Sequence, residues 1–295
     1  RSGACIPSSQ HPTSFQVLHL KLESKQYRQT SIDYRSKSRC WIKYEREGNI
    51  MKTGAHLPVN EKMLVFPLDE AAMLDYSQLE TPTKVAVSPG GMQQFDPDST
   101  HFIVIQSGEL EVLHNGSIYH LRSGQFGCFP GALMLTGDAQ AILVTSLGYE
   151  GSTLVGGPVE ALGRLRYIDG CTSSVLLAPP VRGEPCLNFL HLPRNTSQTL
   201  HTHPTIRVGL ILSGDGQCET HHGLLEFSAG MAFVIPPSVA HSFQSRGESM
   251  RIAIYHPDSD SGLTHTDHTM LNRTYVNGTT AKTMTDLHTR FEVHA

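Results

Sequence analysis

The chain repeats itself. "HFIVIQSGELEVLHNGSIYHLRSGQFGCFPGALML" (101–135) lies over "RVGLILSGDGQCETHHGLLEFSAGMAFVIPPSVAH" (207–241) at an offset of 106, without a gap. Ser107 and Gly108 fall on Ser213 and Gly214, Gly124 on Gly230, Phe129 on Ile235 and Pro130 on Pro236. Each copy reads as a short apolar run, a glycine turn, two more runs about a polar turn, then a glycine, a run and a proline. Short runs rich in Val, Ile, Leu and Phe between such breakers are strand signals, and every second side chain of such a strand points inside. Two copies of one antiparallel unit predict an all-β chain with two tandem β-barrels.

Composition sets the outer limits. A chain of 295 residues has room for two domains and a buried core. A net charge of −4 gives no reason to expect a nucleic-acid partner. No apolar run approaches the ~20 residues a membrane span needs, and no signal-peptide core opens the chain, so no membrane partner is expected. The six cysteines are scattered and show no CxxC, which suits reduced thiols in a cytoplasmic protein. The expected divisions are 1–60, 61–160, 161–257 and 258–295. The first is polar and basic with neither a two-residue nor a 3.6-residue period. It reads either as a translated leader ahead of Met51 or as an arm packing on a partner subunit. The last belongs to a polar stretch that starts at His256 and also carries His265 and His268.

Chemistry concentrates in the second copy. His201 and His203 stand one residue apart, and His241 follows the Pro236-Pro237 break. On a strand, residues two apart share a face, so both imidazoles would enter the barrel. Three neutral imidazoles suit Fe(II), Mn(II), Ni(II), Cu(II) or Zn(II). At the matching positions of the first copy stand Phe95, Pro97 and Leu135. None of these can ligate a metal, so that barrel is expected to be metal-free and to serve structure or dimerisation.

These residues resemble the cupin superfamily, small jelly-roll barrels with the motifs G(X)5HXH(X)3-4E(X)6G and G(X)5PXG(X)2H(X)3N. His201-Thr-His203 and Gly214 match the first, and Gly230, Pro236 and His241 match the second. Asn195, Ser238 and Ser245 stand where the family has glycine, glycine and asparagine. The resemblance spans roughly residues 65 to 256 and implies a bicupin whose metal motif survives only in the C-terminal barrel, from residue 161 to 257. It implies the fold more strongly than the reaction, because cupins host many chemistries.

The departure that matters is Arg207, where the family places a glutamate ligand. By strand parity Thr205 and Arg207 face inward with the histidines. A guanidinium beside a dication is repelled unless an anion lies between them. One reading makes Arg207 the residue that clamps a substrate carboxylate, with Thr205 beside it. The other turns Arg207 towards a surface acid such as Glu219.

The family resemblance then implies three functions. The first is a non-haem iron dioxygenase, Fe(II) favoured, acting on a small carboxylate-bearing compound, aromatic acids included. It resembles the three-histidine oxygenases, including the gentisate-type bicupins, although their characteristic residues after HXH are not reproduced. The second is a lyase, isomerase or hydrolase using the metal as Lewis acid, with Tyr255 the candidate acid or base. The third is a barrel that binds a small ligand without turning it over. A homodimer is expected because exposed strand edges in such barrels are usually covered.

Overall fold

The computed structural model describes residues 62–68, 72–87, 93–95 and 97–289. The arm or leader expected over residues 1–60 lies outside the described residues. Chain order begins with β1 (Leu64–Pro67), β2 (Ala72–Tyr76), β3 (Thr83–Val87), β4 (Gln93–Gln94) and β5 (Ser99–Ser107). Next come β6 (Glu109–His114), β7 (Ser117–Arg122), β8 (Phe126–Pro130), β9 (Leu133–Gly137), β10 (Gln140–Leu147) and β11 (Leu154–Gly156). A connecting stretch holds β12 (Leu165–Arg166), followed by β13 (Thr172–Leu177), β14 (Cys186–Leu192) and β15 (Arg207–Ser213). The last large strands are β16 (Asp215–Thr220), β17 (Gly223–Ser228), β18 (Met231–Ile235), β19 (His241–Ser245) and β20 (Met250–His256).

These strands build two pairs of antiparallel sheets. One pair is β11-β8-β5-β10-β3-β2 with β4-β9-β6-β7. The other is β1-β18-β15-β20-β14-β13-β12 with β17-β16-β19. The only α-helix among the described residues is short, Thr269–Arg273. The architecture is the all-β one that the glycine-punctuated runs predict.

Alternation along the central strands explains their near-continuous apolar sequence. In β5, Ile103 and Ile105 pack with Leu110, Val112 and Phe129 inside the first pair of sheets. Ile211 of β15 packs with Phe233, Ile252 and Phe243 inside the second. The opposite faces meet each other: Phe102, Val104 and Val144 share one core with Phe189, Val208, Leu210 and Tyr255. Both central strands are therefore buried on two faces, which is why they read as unbroken hydrophobic runs. Gly209 marks a close approach, because a Cβ there would collide with the Phe233 ring.

The repeat holds at the level of register. His101 pairs with Phe129 in one half and Arg207 with Ile235 in the other, each 106 residues apart. After the prolines the match slips. His241 lies opposite Thr220, and the residue in the equivalent place opposite His114 is Leu133 rather than Leu135. The turn after Pro236 is two residues longer than that after Pro130, and an ungapped alignment cannot register this.

β1 separates sequence order from sheet membership. It precedes every strand of the first half, yet pairs with β18 of the second, Leu64 opposite Val234 and Pro67 opposite Met231. At the other end, residues 258–289 are fastened to the β13–β14 loop. Arg182 donates its N–H to the Leu263 carbonyl at 2.8 Å, and Leu263 donates to Pro180 at 3.2 Å.

Candidate metal centre

His201, His203 and His241 converge, with one ligand-capable atom of each lying within 4.8 Å of the others. Their ring centroids are 5.1, 4.5 and 5.1 Å apart for the pairs 201–203, 201–241 and 203–241. The route to this cluster differs from strand parity. His201 belongs to an isolated bridge, exchanging both backbone hydrogen bonds with His241. Residues 202 to 206 are not strand, and β15 starts only at Arg207. Pro204 has no N–H to offer a ladder, which is the local reason. A loop, rather than strand alternation, therefore brings His203 in.

The tautomers are set by the backbone. His201 Nδ1–H donates to the Thr199 carbonyl at 2.7 Å, and His241 Nδ1–H to the Val239 carbonyl at 2.9 Å. A carbonyl only accepts, so in both rings Nε2 is left with its lone pair. His241 Nε2 is buried without a protein partner. Anchoring one ring nitrogen on a carbonyl while the other faces a shared centre is the arrangement metal-ligating histidines use. These residues fit a divalent ion with nitrogen ligands.

Electrostatics favours the neutral, ligating form. Burial first, then Arg207, His241 and His201, press the His203 pKa down to about 3. Burial likewise brings His241 to about 4, against the upward pull of its bond to Val239. Both values lie below the ~6.5 of an unfolded chain. Between these values and pH 6.5 the unfolded chain binds more protons, so stability rises with pH there and is fully present above it. The metal-stripped protein should therefore melt at lower temperature at pH 5 than at pH 7. Equal melting at both would show that these imidazoles protonate freely in the folded state.

Two positions that break the family pattern keep its backbone. Asn195 and Ser238 have φ of 54° and 62°, the left-handed region that glycine adopts without strain. Ser238 N–H donates to the His203 carbonyl at 2.7 Å, so this turn supports the centre directly. Ser238→Gly should relieve strain and stabilise the fold by about 0.5–1 kcal/mol. A lower midpoint in denaturant would refute this. Ser245, at the asparagine position, bonds the Pro193 carbonyl and accepts from Thr196 N–H at 3.0 Å.

Arg207 does point inward. It alternates with Gly209 and Ile211 on the barrel face and is 7% exposed. Its partner is Asp258, at 3.4 Å, and not Glu219, which accepts from Gln244 at the surface. Arg207 Nη1 also donates to the Ile206 carbonyl at 3.0 Å and to the Thr205 hydroxyl, which itself donates to Asp258 at 2.6 Å. Nε of Arg207 is buried with no partner.

One neighbour escapes the sequence reading. His256, assigned there to the polar region after the barrel, closes β20 opposite Cys186, with its ring 6.4 Å from that of His203. Burial, Arg207 and His203 hold its imidazole well below the ordinary histidine value. The signal was present: Ile252, Ile254 and His256 are two apart, and the two isoleucines face the barrel interior. Tyr255 faces the other way, fully buried against Phe102 in the core between the halves, so it is not an acid or base of this site. Cys218 is a core residue, its thiol pushed up to about 12 by burial. His101 is buried and bonded to Thr145 at 2.9 Å.

Comparisons with known proteins agree on the fold. Residues 188–257 match the family model described as a cupin domain. A cupin 2 conserved barrel domain protein from Leptotrichia buccalis is 12% identical, with a TM-score of 0.50, over 66% of this chain and 96% of its own. A Pseudomonas aeruginosa protein described as glyoxylate-induced is 16% identical, with a TM-score of 0.51, over 72% of this chain and 96% of its own. Salicylate 1,2-dioxygenase from Pseudoaminobacter salicylatoxidans, in adducts with gentisate, gives 10% and 0.49 over 66% and 81%. No curated protein matches the chain. The chain has the cupin fold, and residues 188–257 carry a cupin-domain sequence match.

Proposed function

We propose that this chain is a bicupin enzyme that holds one divalent ion, Fe(II) favoured, on His201, His203 and His241, and oxidatively cleaves a small carboxylate-bearing substrate. The observation that carries the reading is the convergence of three imidazoles, two of them, His201 and His241, with Nδ1 fixed on a carbonyl. A three-histidine set leaves open positions, room for a chelating substrate and O2 together. When bound, the ion supplies Lewis-acid polarisation and, as iron, the capacity for O2 chemistry.

The chain's own residues do the rest. Arg207 binds the substrate's negative end through the part of its guanidinium that Asp258, Thr205 and Ile206 do not engage. Thr205 and Asp258 hold that guanidinium in place. The buried core that contains Ile235, Ile252 and Phe243, whose ring lies 5.4 Å from that of His241, keeps water from the barrel interior. In the first half, Phe95, Pro97 and Leu133 stand where the histidines are, so we assign that barrel, residues 61–160, a supporting role. Residues 161–257 carry the site and 258–295 form the tail.

Oxygen uptake by iron-loaded protein, across a panel of small hydroxylated aromatic and aliphatic acids, tests the reaction. Uptake with product formation supports the dioxygenase. Turnover under nitrogen with zinc or nickel would replace it by a non-redox lyase, isomerase or hydrolase. His256 favours that alternative, because a neutral imidazole beside His203 can exchange a proton with substrate. Tight binding of an acid with no turnover under either condition would leave a binding module.

Among the described residues β2 and β12 end their sheets with one edge unpaired, which supports a homodimer. A single monomeric species in sedimentation velocity at micromolar concentration would contradict it. The four described cysteines are free and buried, which suits the cytoplasm. Among the described residues no helix is long and apolar enough to cross a membrane.

A further inference from the structure

We propose that Asp169, on the segment joining the two halves, is a positioning residue for the His201 imidazole and acts on it through Thr199. The proposal rests on the reading of His201 as a metal ligand. Its route is a chain of hydrogen bonds. Asp169 Oδ2 accepts the Thr199 N–H at 2.6 Å, and Oδ1 accepts the Thr199 hydroxyl at 3.2 Å. The carbonyl of the same Thr199 accepts the His201 Nδ1–H at 2.7 Å. One carboxylate thus fixes the residue whose carbonyl sets the His201 tautomer and ring orientation.

The segment is built to present that carboxylate. Asp169 has φ 53° and ψ 37°, a left-handed conformation, and Gly170 follows with φ 79°. Backbone bonds brace the turn, Tyr167 N–H to the Cys171 carbonyl at 3.0 Å and Cys171 N–H to Ile168 at 2.9 Å. Upstream, Arg164 N–H donates to the Ser174 hydroxyl at 3.0 Å, which fastens the segment to β13. A non-glycine residue in the left-handed region is held there by its surroundings and often marks a functional constraint. Asp169 and Thr199 are both exposed, so removing the carboxylate opens no buried hole.

The chemistry is that of an outer partner to a ligand. Such partners orient the ring and fix which nitrogen carries the proton, and their loss typically weakens metal affinity about 10- to 100-fold. Asp169→Gly is the informative variant, because glycine keeps the left-handed backbone while deleting the carboxylate. Asp169→Asn retains an oxygen for the Thr199 N–H and should recover most of the effect.

Two readouts test this. The first is cobalt(II) affinity by chelator competition, expected to fall about 10- to 100-fold in Asp169→Gly and far less in Asp169→Asn. The second needs no metal: nitrogen NMR of the His201 ring in the stripped protein. Wild type should show one tautomer protonated at Nδ1, and Asp169→Gly a mixture. If wild type takes up no cobalt, the metal reading falls and the ring signals alone decide whether the relay exists. Unchanged His201 signals in Asp169→Gly overturn the proposal whatever the metal does.

Discussion

His203→Ala/His241→Ala should abolish metal uptake. Wild type is expected to hold about one divalent ion per chain, because three convergent nitrogens make one site. An ion present at ~1,000 times its Kd stabilises the state that binds it by about 4 kcal/mol. In a chain of this size that corresponds to a rise in Tm on the order of 10 °C. Both the ion and the rise should vanish in the double variant. The metal-free variant should still fold, since the core residues around Phe233 and Phe243 are untouched. Two ions per chain in wild type, or an unchanged content in the variant, would place the metal elsewhere.

Arg207→Ala should cost carboxylate binding about 2–4 kcal/mol, the loss of a charge-assisted contact in a dry site. That is roughly a 30- to 900-fold weaker Kd. Arg207→Lys keeps the charge but not the fork, and should recover only part of the affinity. Metal content should stay at the wild-type level in both variants, because a guanidinium is not a ligand. Asp258→Ala belongs in the same series. It frees the guanidinium of its acidic partner, and tighter carboxylate binding is the expected result. Arg207→Ala binding acids as well as wild type would reduce Arg207 to a partner of Asp258. Loss of metal from that variant would mean instead that Arg207 holds His203 in place.

What the sequence discloses follows from how local each signal is. The repeat anticipates the pairing of His101 with Phe129 and of Arg207 with Ile235, because strand register there is carried by side-chain alternation alone. The three histidines are legible because their spacing to Gly214, Gly230 and Pro236 is a property of turns. Leu133 was hidden behind a two-residue difference in turn length that no residue type announces. His256 was hidden by neighbours: the polar stretch after it masks its place in the alternation begun by Ile252. Asp258 and Asp169 could not be found from sequence, since each reaches its partner across more than twenty-five positions. The edge pairing of β1 is of the same kind, fixed by the space beside β18 rather than by anything in "LVFP".

That pairing makes the halves inseparable at the level of the gene. A fragment beginning at residue 161 would lack β1, leaving the β18 edge with unmatched backbone donors and acceptors, and would turn the layer containing Val208, Leu210 and Tyr255 towards water. Bare edges recruit other strands, so such a fragment should self-associate instead of working as a single barrel. A duplicated unit can usually be trimmed back to one copy. Here the exchanged strand acts as a ratchet: once the second copy relied on a segment encoded ahead of the first, neither could be deleted, even though only one carries the histidines.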